Sequence, residues 1–316
     1  KVAEGGDVAD AMRRLVDAGI RPVVADLPDA DPLALADSPA ARGALIFNAR
    51  ARDDGLRNQD CRANVLHVMP NRAMLADALA QYLVWKRWRN WMLVVGRHAG
   101  DKAYAEAIKR AAGRFGAKIV AEKEWTHDPG ARRTDSGHVN AQQEIPAFTQ
   151  GPDHDVLVVA DEADEFGELL SYRNFIPRPV AGTHGLVATP WHRAHEQWGA
   201  TQFHNRFHRQ AKRWMVERDY AAWVAVRSVG EAATRVLSAD PAKIAEYVRG
   251  TQFVLAAFKG AGVTYRDWDG QMRQPVLVSG PRMLISVSPQ PGFLHQFSEF
   301  DTLGYDRPET GCKFKR

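Results

Sequence analysis

The chain has 316 residues, of which 45% are hydrophobic and 25% are charged, and its formal net charge is +4. This hydrophobic content supports a sizeable core, and the length predicts about two domains of roughly 150 residues each. The 42 basic residues are interspersed with 38 acidic ones, which excludes the sustained basic tract of a nucleic-acid-binding surface. We therefore predict no nucleic-acid partner. No apolar run approaches the roughly 18–20 residues that a membrane-spanning helix needs.

Short β-branched runs alternate with stretches of helical periodicity along the chain. The predicted strands are residues 21–25, 44–47, 91–96, 117–120 and 155–160, with another near residues 180–182. The predicted helices are residues 7–18, 72–89, 102–114, 162–173 and 219–235, followed by a helical pair over residues 240–258. A strand covered by helices on both faces is apolar throughout, so these runs predict buried parallel strands in a doubly wound α/β fold.

Three segments interrupt this alternation. Residues 29–41 contain two prolines and predict a loop or a short helix. Residues 126–151 are polar and weakly periodic, which predicts a surface loop that leads into a helix near residues 139–148. Residues 275–278 and 283–287 predict a hairpin.

The strongest local signal is the acidic run that follows the predicted strand 155–160. It contains Asp161, Glu162, Asp164 and Glu165. Hard cations prefer oxygen ligands, so the run is a candidate site for a hard cation or for a cationic ligand. The alternative is helix chemistry, because acidic residues in a first turn complement the helix dipole and cap free N–H groups.

Two other strand ends carry polar residues. Asn48 and Arg50 follow the strand 44–47, where a guanidinium can grip a carboxylate. Met69 and Asn71 lie just before the helix 72–89. That position either presents backbone N–H groups to a ligand or is simply capped by Asn71.

The histidines give a weaker metal signal. His204 and His208 are four residues apart and would share one helix face, a spacing compatible with a soft metal. They also interleave with Phe203 and Phe207, a pattern typical of a packed aromatic face.

Sequence signatures of catalysis and cofactor binding are not found. The chain has no Gly-x-Ser-x-Gly elbow, no phosphate loop and no Gly-x-Gly-x-x-Gly. We therefore predict no catalytic residue, no enzyme activity and no cofactor. Cys61 and Cys312 are either two unrelated thiols or one disulfide formed in an oxidising compartment.

The order of elements resembles a known family. The resemblance begins at DAGIRPVV (residues 17–24), and it continues through GALIFN (43–48), NVLHVMP (64–70) and WMLVVG (91–96). It also includes Asp101 and Tyr104, which open the next helix, and DYAAWVAV (219–226). These segments resemble type I periplasmic solute-binding proteins, the branched-chain amino-acid-binding proteins of ABC importers.

The tail narrows this resemblance. Residues 263–275 (VTYRDWDGQMRQP) and 303–312 (LGYDRPETGC) are similar to one subfamily. It is the substrate-binding component associated with pyrroloquinoline-quinone (PQQ)-dependent alcohol dehydrogenase systems. Related transport clusters are linked to lanthanide supply for such dehydrogenases.

The chain departs from the family pattern at two places. The family begins with another strand–helix unit, which we expect to be missing before Lys1. Where amino-acid-binding members have small hydroxyl residues after the second strand, this chain has Asp26-Leu27-Pro28. We therefore do not expect a branched-chain amino acid as the ligand.

The resemblance implies two α/β lobes with a hinged cleft between them. The predicted first lobe comprises residues 1–90 and 215–278, and the second comprises residues 91–214 and 279–316. The implied ligand contacts are strand-end residues of both lobes: Asp26, Asn48, Arg50, Met69, Asn71, Asp101, Tyr104, Asp161, Glu162 and His184.

The resemblance also implies a monomer in the periplasm that closes on a small-molecule or ion ligand and then docks on an ABC permease. Other functions stay open at this point. They are a calcium- or lanthanide-binding protein or sensor that uses the acidic run, a hydrolase or lyase that uses the cleft, and a module that binds a protein partner.

Overall fold

The computed structural model describes residues 6–126 and 144–314, and the chain divides into two compact units. Unit 1 comprises Lys1–Asn71, Pro190–Pro275 and Tyr305–Arg316. Unit 2 comprises Arg72–Thr189 and Val276–Gly304.

Each unit combines strands with helices. In unit 1 the strands are β1 (Pro22–Ala25), β2 (Leu45–Asn48), β3 (Val65–His67), β9 (Leu255–Ala256), β10 (Gly262–Tyr265) and β11 (Met272–Arg273). Its helices are Val8–Asp17, Pro32–Asp37, Ala200–Ala211, Glu217–Val236 and Pro241–Arg249. In unit 2 the strands are β4 (Asn90–Val95), β5 (Lys118–Glu124), β6 (Val156–Ala160), β7 (Val180–Gly182), β8 (Leu186–Thr189), β12 (Val276–Ser279) and β13 (Leu284–Ser288). Its helices are Arg72–Trp85, Ala99–Phe115 and Gly167–Arg173, and residues 144–148 are also helical.

Unit 1 contains a parallel sheet that is buried on both faces. Its order is β1-β2-β3. Along β2, Leu45 and Phe47 join the core built with the helix Glu217–Val236, whereas Ile46 joins the core built around Met12. Alternate residues therefore enter opposite cores, which is why the strand is apolar throughout. Strands β9, β10 and β11 form a separate antiparallel sheet.

Unit 2 repeats this arrangement in a larger sheet of order β13-β12-β8-β7-β6-β4-β5. Strands β4 to β8 pair in parallel, and β12 pairs antiparallel with β8 and β13. Trp91 and Leu93 enter one core and Met92 and Val94 the other. The predicted hairpin is confirmed by the β12–β13 register.

The unit boundaries differ from the predicted lobe boundaries. The helix Arg72–Trp85 belongs to unit 2, where Leu75, Leu79 and Leu83 are buried in the core around Trp91. Residues 190–214 and 305–316 belong to unit 1, and residues 276–278 belong to unit 2.

A disulfide fastens the tail to unit 1. Cys61 and Cys312 are joined, with their Cα atoms 5.6 Å apart, so the second of the two alternatives holds. Nearby, the Thr310 hydroxyl donates to the Arg57 carbonyl at 3.0 Å, and the Gly311 N–H donates to Asn58 Oδ1. The tail had been expected in the second lobe.

Some predicted elements are shorter than expected. The helix predicted over residues 162–173 begins only at Gly167, because the acidic run forms a turn first. The predicted helical pair over residues 240–258 is one helix, Pro241–Arg249, followed by β9. Strand β8 was not predicted. Of the helix predicted near residues 139–148, the part up to residue 143 lies outside the described residues. Within the described ranges, no helix is both long and apolar enough to span a membrane.

Candidate functional site

A buried asparagine organises the carboxyl end of the parallel sheet in unit 1. Asn48 ends β2 and is 1% exposed. Its Oδ1 accepts hydrogen bonds from the backbone N–H of Ala51 at 2.8 Å and of Arg50 at 3.1 Å. Its Nδ2 donates to the Ala51 carbonyl at 2.8 Å. Asn48, a predicted ligand residue, therefore uses its side chain to shape the loop that follows β2.

Asn48 also fixes the protonation state of His67, which ends β3. The Asn48 amide nitrogen lies 3.1 Å from His67 Nδ1. An amide NH₂ group only donates, so Nδ1 accepts and the imidazole is neutral with its proton on Nε2. Burial lowers the pKa of His67 well below the ordinary value of 6.5, and the positive charge of Arg57 acts in the same direction.

Arg57 holds the loops after β2 and β3 together. Its side chain is fully buried, and its guanidinium donates to the carbonyls of Ala51 at 3.0 Å and Met69 at 2.7 Å. It also donates to Gln271 Oε1 at 2.9 Å. Burial lowers the pKa of Arg57 to about 10, which leaves it charged at neutral pH. The predicted ligand residues Met69 and Asn71 lie in this edge and are 1% and 2% exposed.

The exposed charges at this edge include those of Asp26, Arg50 and Arg218. Asp26 Oδ1 lies 4.0 Å from Arg50 Nε and 4.0 Å from Arg218 Nη1. The three side chains are 58%, 42% and 50% exposed, in that order. Two exposed guanidiniums beside one carboxylate favour an anionic group of a ligand.

In unit 2, Asp101 connects the carboxyl ends of β4 and β6. It lies in the first turn of the helix Ala99–Phe115 and is 1% exposed. Its Oδ2 accepts from the His98 N–H at 3.0 Å, and its Oδ1 accepts from the N–H groups of Glu162 at 2.6 Å and Ala163 at 3.2 Å. Tyr104, one turn later, is 3% exposed and belongs to the core of unit 2.

Asp161 caps the turn that follows β6. It is 2% exposed, and its carboxylate accepts from three backbone N–H groups, those of Glu165 at 3.0 Å, Phe166 at 2.8 Å and Gly167 at 2.7 Å. The carboxylate of Asp161, the first residue of the acidic run, therefore caps backbone N–H groups at the start of the helix Gly167–Arg173. Such capping was one of the two predicted alternatives.

Glu162 forms a two-pronged ion pair with Arg72. Arg72 Nε and Nη2 lie 2.9 Å and 2.5 Å from the two carboxylate oxygens of Glu162. The Glu162 side chain is 18% exposed. A Cβ at Gly100 would lie 2.7 Å from Glu162 Oε2, so the glycine makes room for this pair.

The remaining carboxylates of the run pair with histidines. His98 Nε2 lies 2.9 Å from Glu165 Oε1, and His184 Nε2 lies 2.9 Å from Asp164 Oδ1. His184 Nδ1 also lies 3.0 Å from the Thr183 hydroxyl. The His184 side chain is 16% exposed.

Each carboxylate of the acidic run has a partner within unit 2. The carboxylates of Asp161, Glu162, Asp164 and Glu165 point to separate partners and do not converge. Within residues 6–126 and 144–314, no group of three or more His, Cys, Asp or Glu side chains is arranged to hold a metal ion.

The histidine pair of the helix Ala200–Ala211 belongs to a packed aromatic face. The His204 ring lies 5.1 Å from the Trp191 ring, and the His208 ring stacks on Trp214 at 4.7 Å. Burial lowers the pKa of His204. The packed face is therefore the interpretation that the structure supports.

Sequence reasoning missed Arg57, Arg72, His98 and Arg218 at these edges. One signal was available for Arg72. A basic residue in the first turn of a helix is unfavourable, because its positive charge lies at the positive end of the helix dipole. Its presence there indicates that the charge pairs with a group outside the helix. Arg57 gave no signal, because its acceptors, which are backbone carbonyls and Gln271 Oε1, are brought together only by the fold.

Comparisons with known proteins agree on the fold. Residues 5–142, less than half of the chain, match the model of a family described as periplasmic binding protein. A leucine-, isoleucine-, valine-, threonine- and alanine-binding protein from Brucella ovis superposes with a TM-score of 0.71 and 13% identity. The superposition covers 98% of this chain and 85% of that protein.

Other solved structures give the same result. A periplasmic binding protein from Burkholderia mallei has a TM-score of 0.66 and 17% identity, covering 98% of this chain and 84% of that one. An ABC transporter substrate-binding protein from Desulfitobacterium hafniense, in complex with Leu, has a TM-score of 0.66 and 15% identity, with 88% and 84% covered. No curated protein matches the sequence. The predicted α/β fold of the type I periplasmic binding proteins is confirmed.

Proposed function

We propose that this chain, which has the type I periplasmic-binding-protein fold, is the solute-binding component of an ABC importer. In this function it works in the periplasm as a monomer, binds a small solute and delivers it to a permease in the inner membrane. It carries out no chemical step and needs no cofactor.

One observation carries the proposal. The likeness to solute-binding proteins covers 98% of the chain in two of the comparisons, so it includes residues of both units. A likeness confined to one α/β unit would fit many unrelated functions, because that architecture hosts many chemistries.

The charges at the strand ends support a solute with both signs of charge. In unit 1, Arg50 and Arg218 are exposed beside Asp26. In unit 2, Glu162 and His184 are partly exposed at the ends of β6 and β7. A small amino acid carries a carboxylate and an ammonium, which match such groups. The D. hafniense neighbour is in complex with Leu, so amino acids are the first class to test.

The proposed contacts are the ten strand-end residues predicted from the sequence. Asp26, Arg50, Glu162 and His184 would bind through exposed side-chain atoms. Asn48, Met69, Asn71, Asp101, Tyr104 and Asp161 are buried and would shape and support the edges. The cleft predicted between two lobes stays a prediction.

We also propose that the importer serves a PQQ-dependent alcohol oxidation system. The support is the resemblance of residues 263–275 and 303–312 to the subfamily associated with such systems. The Asp26-Leu27-Pro28 segment, which replaces small hydroxyl residues, favours a solute other than a branched-chain amino acid.

The proposal is tested by measuring the unfolding temperature with a panel of amino acids and small organic acids. A solute that binds only the folded chain stabilises it by about 2.7 kcal/mol at a concentration of 100 times Kd. We expect one class of solute to raise the unfolding temperature and to bind one-to-one in calorimetry. Turnover of a panel member would contradict the proposal.

Variants locate the binding edge. Arg50→Gln and Glu162→Gln should each weaken binding of the identified solute about tenfold or more, since each removes a charged hydrogen-bond partner. Glu168→Gln is the matched control, because Glu168 is exposed in the neighbouring helix Gly167–Arg173. Equal weakening by the control would show that the effect is general.

A further inference from the structure

A groove in unit 1, away from the strand-end residues, has the composition of a ligand site. Its volume is about 730 Å³, within the range of roughly 300–1,000 Å³ that small-molecule sites occupy. Its walls include Trp198, Trp223 and Phe258, with Arg206 and Arg227 beside them. Among the described residues that line it, none is acidic.

The aromatic rings of the groove form an apolar surface that is supported from below. Phe203 lies beneath it, with its ring 4.7 Å from Phe258 in a stacked arrangement and 4.6 Å from Trp223. The Trp223 and Phe258 rings are themselves 5.5 Å apart. Trp198 is 52% exposed, so a large aromatic face is open to solvent.

The backbone holds this surface in an uncommon conformation. Trp198 and Phe258 both have positive φ values, 52° and 58°, which non-glycine residues rarely adopt. Gly260 has φ 78°, and a Cβ there would lie 2.4 Å from the Trp198 indole. Only glycine lets the indole lie against the chain at this position.

Buried contacts behind the groove fix the segment that carries Phe258. His195 Nε2 lies 2.7 Å from the Phe258 carbonyl and donates to it. The next residue, Lys259, is 1% exposed, and its Nζ donates to Gln274 Oε1 at 2.7 Å and to the Pro275 carbonyl at 2.8 Å. The groove is therefore preformed, which lowers the entropic cost of binding.

The two arginines supply the charge. Arg206 is exposed on the helix Ala200–Ala211. Arg227, on the helix Glu217–Val236, is 50% exposed. Its Nη2 lies 3.9 Å from Oε2 of Glu231. A pair at that distance with an exposed guanidinium contributes little, so both guanidiniums keep the capacity to bind a carboxylate.

We propose that this groove binds an aromatic carboxylate, with the ring packed against the side chains of Trp198, Trp223 and Phe258 and the carboxylate held by Arg206 and Arg227. Aromatic faces prefer offset-stacked partners, and guanidiniums bind carboxylates through paired hydrogen bonds. The site is separate from the strand-end residues of the proposed function.

The test is calorimetric titration of the purified chain with 2-naphthoate. We expect saturable one-to-one binding with a Kd below about 1 mM. 2-Naphthamide lacks the charge and cyclohexanecarboxylate lacks the flat ring, so each should bind at least about tenfold more weakly, a change of about 1.4 kcal/mol. Equal binding of either analogue, or no saturable binding of 2-naphthoate, would overturn the proposal.

Variants assign the binding to this groove. The double variant Arg206→Gln/Arg227→Gln and the single variant Trp198→Ala should each weaken 2-naphthoate binding at least about tenfold. Arg209→Gln, an exposed arginine on the same helix outside the groove, should leave it unchanged. Glu162→Gln should also leave it unchanged, which separates this site from the strand-end residues. Unaltered binding in the arginine double variant would overturn the assignment even if Trp198→Ala fails to fold.

Discussion

The contact between Asn48 and His67 shows how one side chain sets the chemistry of another. The Asn48 amide is oriented by three hydrogen bonds to the backbone of residues 50 and 51. This orientation leaves an N–H group facing His67 Nδ1. A protonated His67 would place two donors against each other, so both the hydrogen bond and the burial favour the neutral ring.

We expect the free energy of unfolding to decrease at acidic pH because of His67. Because the folded-state pKa is lowered, only the unfolded chain takes up this proton below about pH 6.5. The free energy of unfolding should therefore lose up to about 1.4 kcal/mol per pH unit from this residue as the pH falls below 6.5. Urea unfolding between pH 7.5 and 5 measures the slope.

The variant His67→Gln isolates this contribution. Its amide oxygen can accept from Asn48, and it does not titrate. Its stability should therefore depend less steeply on pH than that of the parent chain. His295→Gln, a partly exposed histidine of unit 2, is the control and should keep the parent slope. Parallel slopes for the parent and His67→Gln would contradict the assignment.

At the level of elements, the strands were largely predictable and the connections were not. The apolar runs of β4 and β6 reflect cores on both faces of the sheet, and this pattern is visible in sequence. The acidic residues after β6 are compatible both with the first turn of a helix and with a capped turn that precedes the helix. The choice depends on Asp161 reaching the N–H groups of residues 165–167.

The candidate site was predictable to a similar degree. The topology placed Asp26, Asn48, Asp101 and Asp161 at strand ends, as expected. The contacts between site residues were not predictable, because they join residues far apart in sequence. The ion pair of Arg72 with Glu162 is the main example. A single sequence contains no record of such contacts.

A substitution at Gly182 in β7 tests the close approach of β7 to β6 in the sheet of unit 2. It has φ 119°, and a Cβ there would lie 2.1 Å from the Val159 carbonyl oxygen. Gly182→Ala should therefore cost at least about 3 kcal/mol of unfolding free energy. Gly113→Ala is the matched control, because that helical glycine has nothing within 4 Å of the added Cβ, and it should be neutral or stabilising by about 0.5–1 kcal/mol. Chemical denaturation of both variants measures the difference, and a neutral Gly182→Ala would contradict the packing.

The disulfide tests the attachment of the tail. Cys61 and Cys312 are separated by 251 positions, so the bond restricts a long loop of the unfolded chain. The double variant Cys61→Ser/Cys312→Ser should lower the free energy of unfolding by about 2–5 kcal/mol. The parent chain should respond to a reductant in thermal unfolding, and the double variant should not. A parent chain insensitive to reductant under denaturing conditions would argue against the bond.

At the level of the whole molecule, the chain passes from one unit to the other after residues 71, 189, 275 and 304. Each crossing has a proline or glycine within two residues, namely Pro70, Pro190, Pro275 and Gly304. The chain has 17 prolines and 25 glycines, so this signal alone does not locate the boundaries. The longest displaced segment is residues 190–214, and the helix Arg72–Trp85 is displaced as well. The helix Arg72–Trp85 is buried on all sides, including the polar residues Asp77 and Gln81, so its sequence pattern does not indicate which core receives it.

The central claim is that the chain is a receptor for a solute and does not transform it. Native mass spectrometry of the protein purified without added ligand tests this most directly. We predict a population whose mass exceeds that of the bare chain by the mass of one small molecule. The extra mass should disappear when the chain unfolds and should return when the same molecule is added to the refolded chain, with the molecule chemically unchanged. A chain that stays bare in the presence of the whole solute panel, or one that releases the molecule chemically altered, would contradict the claim.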